Sequence, residues 1–215
     1  KKLPVISYEE MMELAYLGAG VMEPRAVELG SKYGVEIYVG KSLGEKNGTI
    51  ITSKEKVMEK QVVTGISINE NTLMVNVEEI PTYAENVYSI FEEAEKNGIN
   101  IDMISQNDVS SEHGSFAFTC PKSDYEALEK IGEILKEKFP DISFIINPYV
   151  MKVSMVGIGL ISNIGVAARV FKVLADNNIS FHQVSTSEIS ISLIVDEVMG
   201  KRVANLLAEE FNKEV

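Results

Sequence analysis

Cys120, His113 and His182 are the side chains of this sequence best suited to exchange a proton, bind a metal or attack an electrophile near neutral pH. Their surroundings favour none of the three. Cys120 closes the apolar run Phe116-Ala117-Phe118-Thr119 with no histidine nearby to draw out a thiolate, so it reads as a small buried hydrophobe. His113 sits in Ser110-Ser111-Glu112-His113-Gly114, the composition of a solvated hairpin loop. His182 falls in a strand-like segment, where facing solvent or a neighbouring module is the simpler reading and contact with a ligand the alternative. No Gly-rich phosphate loop joins a strand to a helix, and no His, Cys and Asp residues stand at metal-ligand spacing. Met11, Met12, Met151 and Met155 occupy core-type positions. What remains is polar residues gathered where strands meet helices, an arrangement that holds a small molecule without transforming it.

The elements that position those turns come in a repeat with an offset of 80 residues. Val87, Ile90, Phe91 and Ala94 form a helical stripe, and Ala167, Val170, Phe171 and Leu174 form the same stripe again. Each helix ends in a polar turn, Asn97-Gly98 or Asn177-Asn178, and leads into a further strand-like segment in which Asp102 corresponds to His182. Alternating strands precede both helices, with Leu73, Val75 and Val77 in one copy and Val153 and Met155 in the other. A second amphipathic helix closes each copy, carrying Leu128, Ile131, Leu135 and Phe139 or Val203, Leu206, Leu207 and Phe211. The order is β-α-β-β-α, and only the first copy adds a fourth strand, Ile142 to Ile146. A spare strand, Val62 to Ile68, lies upstream and is expected to complete the second copy, which would make the first copy an insertion within it.

Ahead of the repeat, residues 7–17 and 24–33 read as helices, 35–39 and 48–52 as strands, and the charged stretch 53–60 as a connector. The expected division is 1–55, then 72–148 as the inserted module, and 61–69 with 149–215 as the other.

A formal charge of −12 with no cluster of Lys and Arg disfavours binding to a phosphate backbone, so no nucleic-acid partner is expected. Apolar stretches such as Ile189 to Val195 fall far short of the roughly 20 residues needed to cross a bilayer. With a single cysteine, no internal disulfide is possible, and a reducing, cytoplasmic setting away from membranes is expected.

The segment Ile6-Ser7-Tyr8-Glu9-Glu10-Met11, continuing through Leu14-Ala15-Tyr16-Leu17-Gly18-Ala19 and Pro24-Arg25-Ala26-Val27-Glu28, resembles the end of the aspartokinase catalytic domain. Gly48-Thr49-Ile50-Ile51 resembles its closing strand. The segment Asn100 to Asn107, with Phe116 to Pro121, and the segment Ser185 to Ser192 resemble the paired ACT domains of that family. The resemblance implies an α+β fold of two ferredoxin-like βαββαβ modules, with antiparallel sheets and helices on one face, preceded by a small α/β remnant of the kinase domain.

It also implies a regulatory role: feedback inhibition by lysine, threonine or both, bound between ACT modules, with dimers formed through the same modules and a kinase catalytic domain as partner. The parent enzyme would transfer the γ-phosphoryl group of ATP to the β-carboxylate of aspartate, with Mg²⁺ as metal. The family's Lys-Phe-Gly-Gly-type opening and its ATP and aspartate sites are missing from the 215 residues, so no catalytic residue, metal or cofactor is expected here. By the same resemblance, the effector-contacting residues are Asn100, Asp102, Gln106 and Asn107 in the first copy, and Thr186, Ser187 and Glu188 in the second. Gly165 opens the second copy's helix without a Cβ, letting a ligand carboxylate approach the backbone. Glu85 stands at the corresponding place in the first copy, and Thr82 stands where the family has an acidic residue, so this turn departs from the family's Asp-x-Pro-Gly pattern. That departure keeps open a module that only dimerises, with no effector.

Overall fold

The computed structural model describes residues 2–43, 47–57, 61–81, 83–108 and 113–212. The chain divides into two compact units, one drawn from residues 1–69 and 152–215, the other from residues 70–151.

Strand β1 (Val5–Ser7) runs directly into helix α1 (Tyr8–Tyr16). The Ser7 hydroxyl accepts the Glu10 amide at 3.2 Å while the Glu10 carboxylate reaches back to the Ser7 amide, a reciprocal cap that fixes where the helix begins. Helix α2 (Pro24–Tyr33) starts on a proline, whose missing N–H costs nothing there, and stops at Gly34 in the left-handed region. Strands β2 (Ile37–Val39) and β3 (Thr49–Thr52) follow, and the small sheet has the order β1-β3-β2, parallel between β1 and β3. The strand at Val5–Ser7 has no signature in the sequence, because three residues are too few to show a period. Ile6, Tyr8, Met11, Leu14, Val27 and Ile51 form the core of this part, and Val156 from the second module joins them.

Strand β4 (Gly65–Asn69) leads into the 70–151 unit. There β5 (Leu73–Pro81), α3 (Ala84–Lys96), β6 (Ile104–Asp108), β7 (His113–Cys120), α4 (Tyr125–Lys138) and β8 (Ser143–Asn147) follow in order. The sheet order is β6-β7-β5-β8, antiparallel throughout. Both helices bury their apolar stripes against one side of it, bringing Ile90, Ala94, Leu128, Ile131 and Leu135 onto Val75, Val77, Phe116 and Phe118. A register break between Val77 and Ile80 puts Glu79 at φ 59°, an uncommon conformation for a residue with a Cβ.

The second module reuses the plan with β9 (Val150–Val156), a short helix α5 (Gly159–Ser162), α6 (Val166–Asp176), β10 (Gln183–Thr186), β11 (Ser190–Asp196) and α7 (Gly200–Asn212). Its sheet has the order β10-β11-β9-β4, with β4 antiparallel to β9 at the edge. The two repeat helices end alike. Ile99 N donates to Ala94 O and Ile179 N to Leu174 O, each at about 3 Å, around a left-handed Gly98 or Asn178. This closure satisfies the last carbonyls of each helix, and Ile99 and Ile179 turn back into their cores.

The tail formed by β1 to β3 and the second module make up one unit. Leu14 of α1 lies against Gly65, the Ser67 hydroxyl donates to Leu17 O at 2.9 Å, and Val156 joins the tail's core.

Candidate functional site

In the second module the chain leaves β9 through Gly157 and Ile158, makes the single helical turn of α5, and reaches Gly165. Gly165 is the cap residue of α6 at φ 91°, with no side-chain hydrogen bond to the helix start. A Cβ at this position would meet nothing within 4 Å, so the backbone here faces open space. The first turn of α6 holds no acidic side chain. Its amides and the helix dipole therefore present positive potential that no neighbour on the helix cancels.

Thr186 is the last residue of β10 and is exposed, and Ser187 and Glu188 stand in the bend that follows. The Ser187 hydroxyl holds that bend closed. It accepts from Ser190 N at 3.0 Å and Ile189 N at 3.3 Å, and lies 2.8 Å from the Ser190 hydroxyl. Ser187 is thus a shaping residue of the hairpin, while Glu188 remains exposed on it. Gly157 N donates to Ile189 O at 2.9 Å, which joins the bend to the start of the segment ending at Gly165.

In the 70–151 unit, Asn100 and Asp102 are exposed and precede strand β6 instead of lying on it. Asp102 is tied down by its amide, which donates to Thr119 O at 2.9 Å. Gln106 is exposed on β6, and the backbone of Asn107 pairs with Ser115. Both β6 and β10 are edge strands, and Gln106 and Thr186 hold the same repeat position, opposite Phe116 and Ile191 respectively. Since paired residues share a face, both point to the side of their sheet that carries the helices. Thr82 lies outside the described residues. Glu85 is exposed in the first turn of α3, where it favours the helix dipole and repels a ligand carboxylate.

Of the histidines, His113 begins β7, and His182 precedes β10 with Nε2 2.7 Å from the Asp196 carboxylate. The Cys120 thiol is buried, and burial, aided by Asp124, pushes its pKa up to about 12. Among the described residues, no three His, Cys, Asp or Glu side chains are grouped to hold a metal, and no helix is long and apolar enough to cross a membrane. A polar cleft of about 200 Å³ lies elsewhere, in the tail, against Tyr8, Glu9, Ser31, Glu36, Thr52 and Lys56. There the Lys56 ammonium and the Thr52 hydroxyl hold the Glu36 carboxyl below its ordinary range.

Glu10 and Gln183 are among the buried polar side chains that the sequence does not announce. Glu10, 3% exposed, accepts from Ser7, from the Thr64 hydroxyl and from Ile158 N at 3.0 Å. The Ser7-x-x-Glu10 spacing is a helix-start signature that could have singled it out. Gln183, 3% exposed, has neither amide atom hydrogen-bonded among the described residues. Its repeat equivalent is the buried Met103, and that apolar-to-polar exchange was the available signal.

Residues 153–211 match the ACT domain family. An aspartokinase of Geobacillus stearothermophilus is 40% identical over 197 residues, 92% of this chain and 47% of that protein. The chain therefore spans about half the length of such relatives. A solved structure of aspartokinase alpha and beta subunits is 35% identical, with a TM-score of 0.63, over 70% of this chain and 99% of that one. Aspartokinase III of E. coli, solved in complex with lysine and aspartate, shares the fold over 98% of this chain and 46% of its own, with a TM-score of 0.77 at 17% identity. With its paired βαββαβ modules and its match along nearly the whole of a solved subunit, this chain belongs to the aspartokinase family and represents its ACT-bearing regulatory region.

Proposed function

We propose that the chain senses an amino acid, lysine or threonine, and that the second module's 157–165 segment with its neighbouring hairpin is the sensing site. The observation that carries this reading is the start of α6: an uncapped, acid-free helix N-terminus opened by Gly165 at φ 91°. There the effector's carboxylate accepts backbone N–H bonds, and the exposed Glu188 and Thr186 supply acceptors for its ammonium group. Asn100, Asp102, Gln106 and Asn107 are the corresponding contacts of the first module in this reading, drawn from β6 and the segment just before it. The lysine complex of the E. coli relative supports an amino-acid effector.

In this reading residues 1–55 close the kinase catalytic domain, 72–148 are the first ACT module, and 61–69 with 149–215 are the second. The exposed edges of β6 and β10 pair with those of a second copy, building a homodimer. ATP, Mg²⁺ and aspartate bind to the catalytic portion that the longer relatives carry, and this chain alone does not phosphorylate aspartate. Glu85, by repelling a carboxylate at the start of α3, favours a second role for the first module as a dimerisation element without effector.

Isothermal titration calorimetry with L-lysine and L-threonine, separately and together and with D-enantiomers as controls, tests the reading. Saturable, L-specific heat that Gly165→Asp abolishes is the expected result. Silence for both amino acids in a folded dimer would leave only the dimerisation role.

A further inference from the structure

We propose that Glu10 is a positioning residue that couples the second module's 157–165 segment to helix α1, so that whatever occupies the segment is felt in the tail. The nature of the occupant rests on the reading above, whereas the coupling itself rests on geometry.

A helix cap accounts for only one of the two Glu10 oxygens. Oε2 accepts from the Ser7 hydroxyl at 2.9 Å and from the Ser7 amide at 3.4 Å, closing the start of α1. Oε1 turns the other way, to the Thr64 hydroxyl at 2.5 Å and the Ile158 amide at 3.0 Å, neither of which the cap requires. One buried carboxylate thus gathers donors from the tail, from the approach to β4 and from the segment after β9. Charge-assisted bonds of this kind are short and strong, and a buried charge that loses a donor has no water to replace it.

The segment cannot yield at its start without moving these bonds. A Cβ at Gly157 would strike the Val62 carbonyl, and one at Gly159 would come within 2.8 Å of the Val62 Cα, so both glycines lie directly against the Val62 backbone. Gly157 is further bound to Ile189 O in the β10–β11 hairpin. At the far end of α1, Leu17 O is held by the Ser67 hydroxyl of β4. A displacement of Ile158 therefore acts on α1 at one end only, tilting it, and Ser7 passes the change to β3 through its pairing with Thr52. The connected path runs Ile189, Gly157, Ile158, Glu10, Ser7, Thr52.

Hydrogen exchange read by mass spectrometry on the full chain, without ligand, tests the coupling. In Glu10→Ala, amides in the first turn of α1, in 157–160 and in the 186–190 hairpin, which Glu10 does not touch, exchange about ten-fold faster or more, while 70–151 keeps its protection. Ser7→Ala, which removes the cap alone, loosens α1 and leaves 186–190 unchanged. Should Glu10→Ala not fold, Thr64→Val, which removes one Oε1 donor, gives the same pattern at smaller amplitude. Unchanged exchange at 186–190, or a uniform rise that includes 70–151, overturns the proposal.

A second arm adds L-lysine or L-threonine at saturation. In the wild type the amino acid slows exchange in both 157–165 and α1; in Glu10→Ala, which removes the oxygen that accepts from Ile158, it slows 157–165 alone. An equal response of α1 in both proteins overturns the coupling. If neither amino acid binds the wild type, the effector reading falls, and the ligand-free pattern still decides the role of Glu10.

Discussion

The amide of Gly157 donates to the carbonyl oxygen of Ile189 across 2.9 Å, so the chain leaving β9 and the hairpin that carries Ser187 and Glu188 share one backbone-bonded surface. A side chain at Gly157 would collide with the Val62 carbonyl, and backbone cannot step aside as a flexible side chain does. Gly157→Ala is therefore expected to destabilise the protein by about 2 kcal/mol or more. Thermal and urea unfolding check this; a variant as stable as the wild type would show that the segment is free to shift, contrary to the path drawn through Ile158.

Gly165 presents the opposite case. Its φ of 91° disfavours a Cβ, yet the space around it is open. Gly165→Ala should cost only about 1 kcal/mol of stability, the conformational term alone. If the proposed sensing role holds, its larger effect is on effector affinity, read by calorimetry, because the added methyl group would stand where the proposed effector's carboxylate meets the first turn of α6.

Gln183 buries an amide with no partner among the described residues, and each such group carries a desolvation cost. Replacing it by the methionine that occupies its repeat position, as Met103, removes both polar atoms at similar volume. Gln183→Met should raise stability by about 1 kcal/mol or more. The measurement is the urea midpoint, which should rise at unchanged slope. A fall would show that the amide is satisfied in solution by water or by a second copy.

Cys120 should behave as an inert core residue. With its pKa pushed up to about 12 by burial, the thiol stays neutral at pH 8 and a disulfide reagent should label it only as the protein unfolds. The linkage has a definite sign. The folded pKa lies above the unfolded one, so the unfolded chain loses its thiol proton first as pH rises. Stability from this group is complete below about pH 8.5 and declines from there toward pH 12. Cys120→Ala should flatten that alkaline loss in denaturation curves.

The parts of this molecule legible in its sequence are those that repeat or that follow a period. The stripe Val87-Ile90-Phe91-Ala94 and its echo Ala167-Val170-Phe171-Leu174 marked α3 and α6, because a helix that buries one face must show it every three to four residues. The spare strand upstream of the first copy was legible by counting, and Gly65–Asn69 pairs with β9 in the second sheet. The segment holding Asn100 and Asp102 read as strand but lies just before β6, since its alternation starts ahead of the regular β6–β7 ladder and adds to it only the bonds that Asp102 and Met103 make with Thr119. Strand β1 and the single turn of α5 left no trace, being shorter than any period that could announce them.

The sequence by itself determined the two βαββαβ copies, the glycine and asparagine turns that end their first helices, and the polar residues of their edges. These depend on neighbours close along the chain. Only the tertiary structure decided that Glu10, spaced as a helix-start residue, also binds Ile158, 148 residues away. It likewise decided that Ser187 spends its hydroxyl on its own hairpin, leaving the exposed Glu188 beside it. Hydrogen bonds between segments distant in sequence have no period and no fixed spacing, so they become visible only once burial has brought their donors and acceptors together.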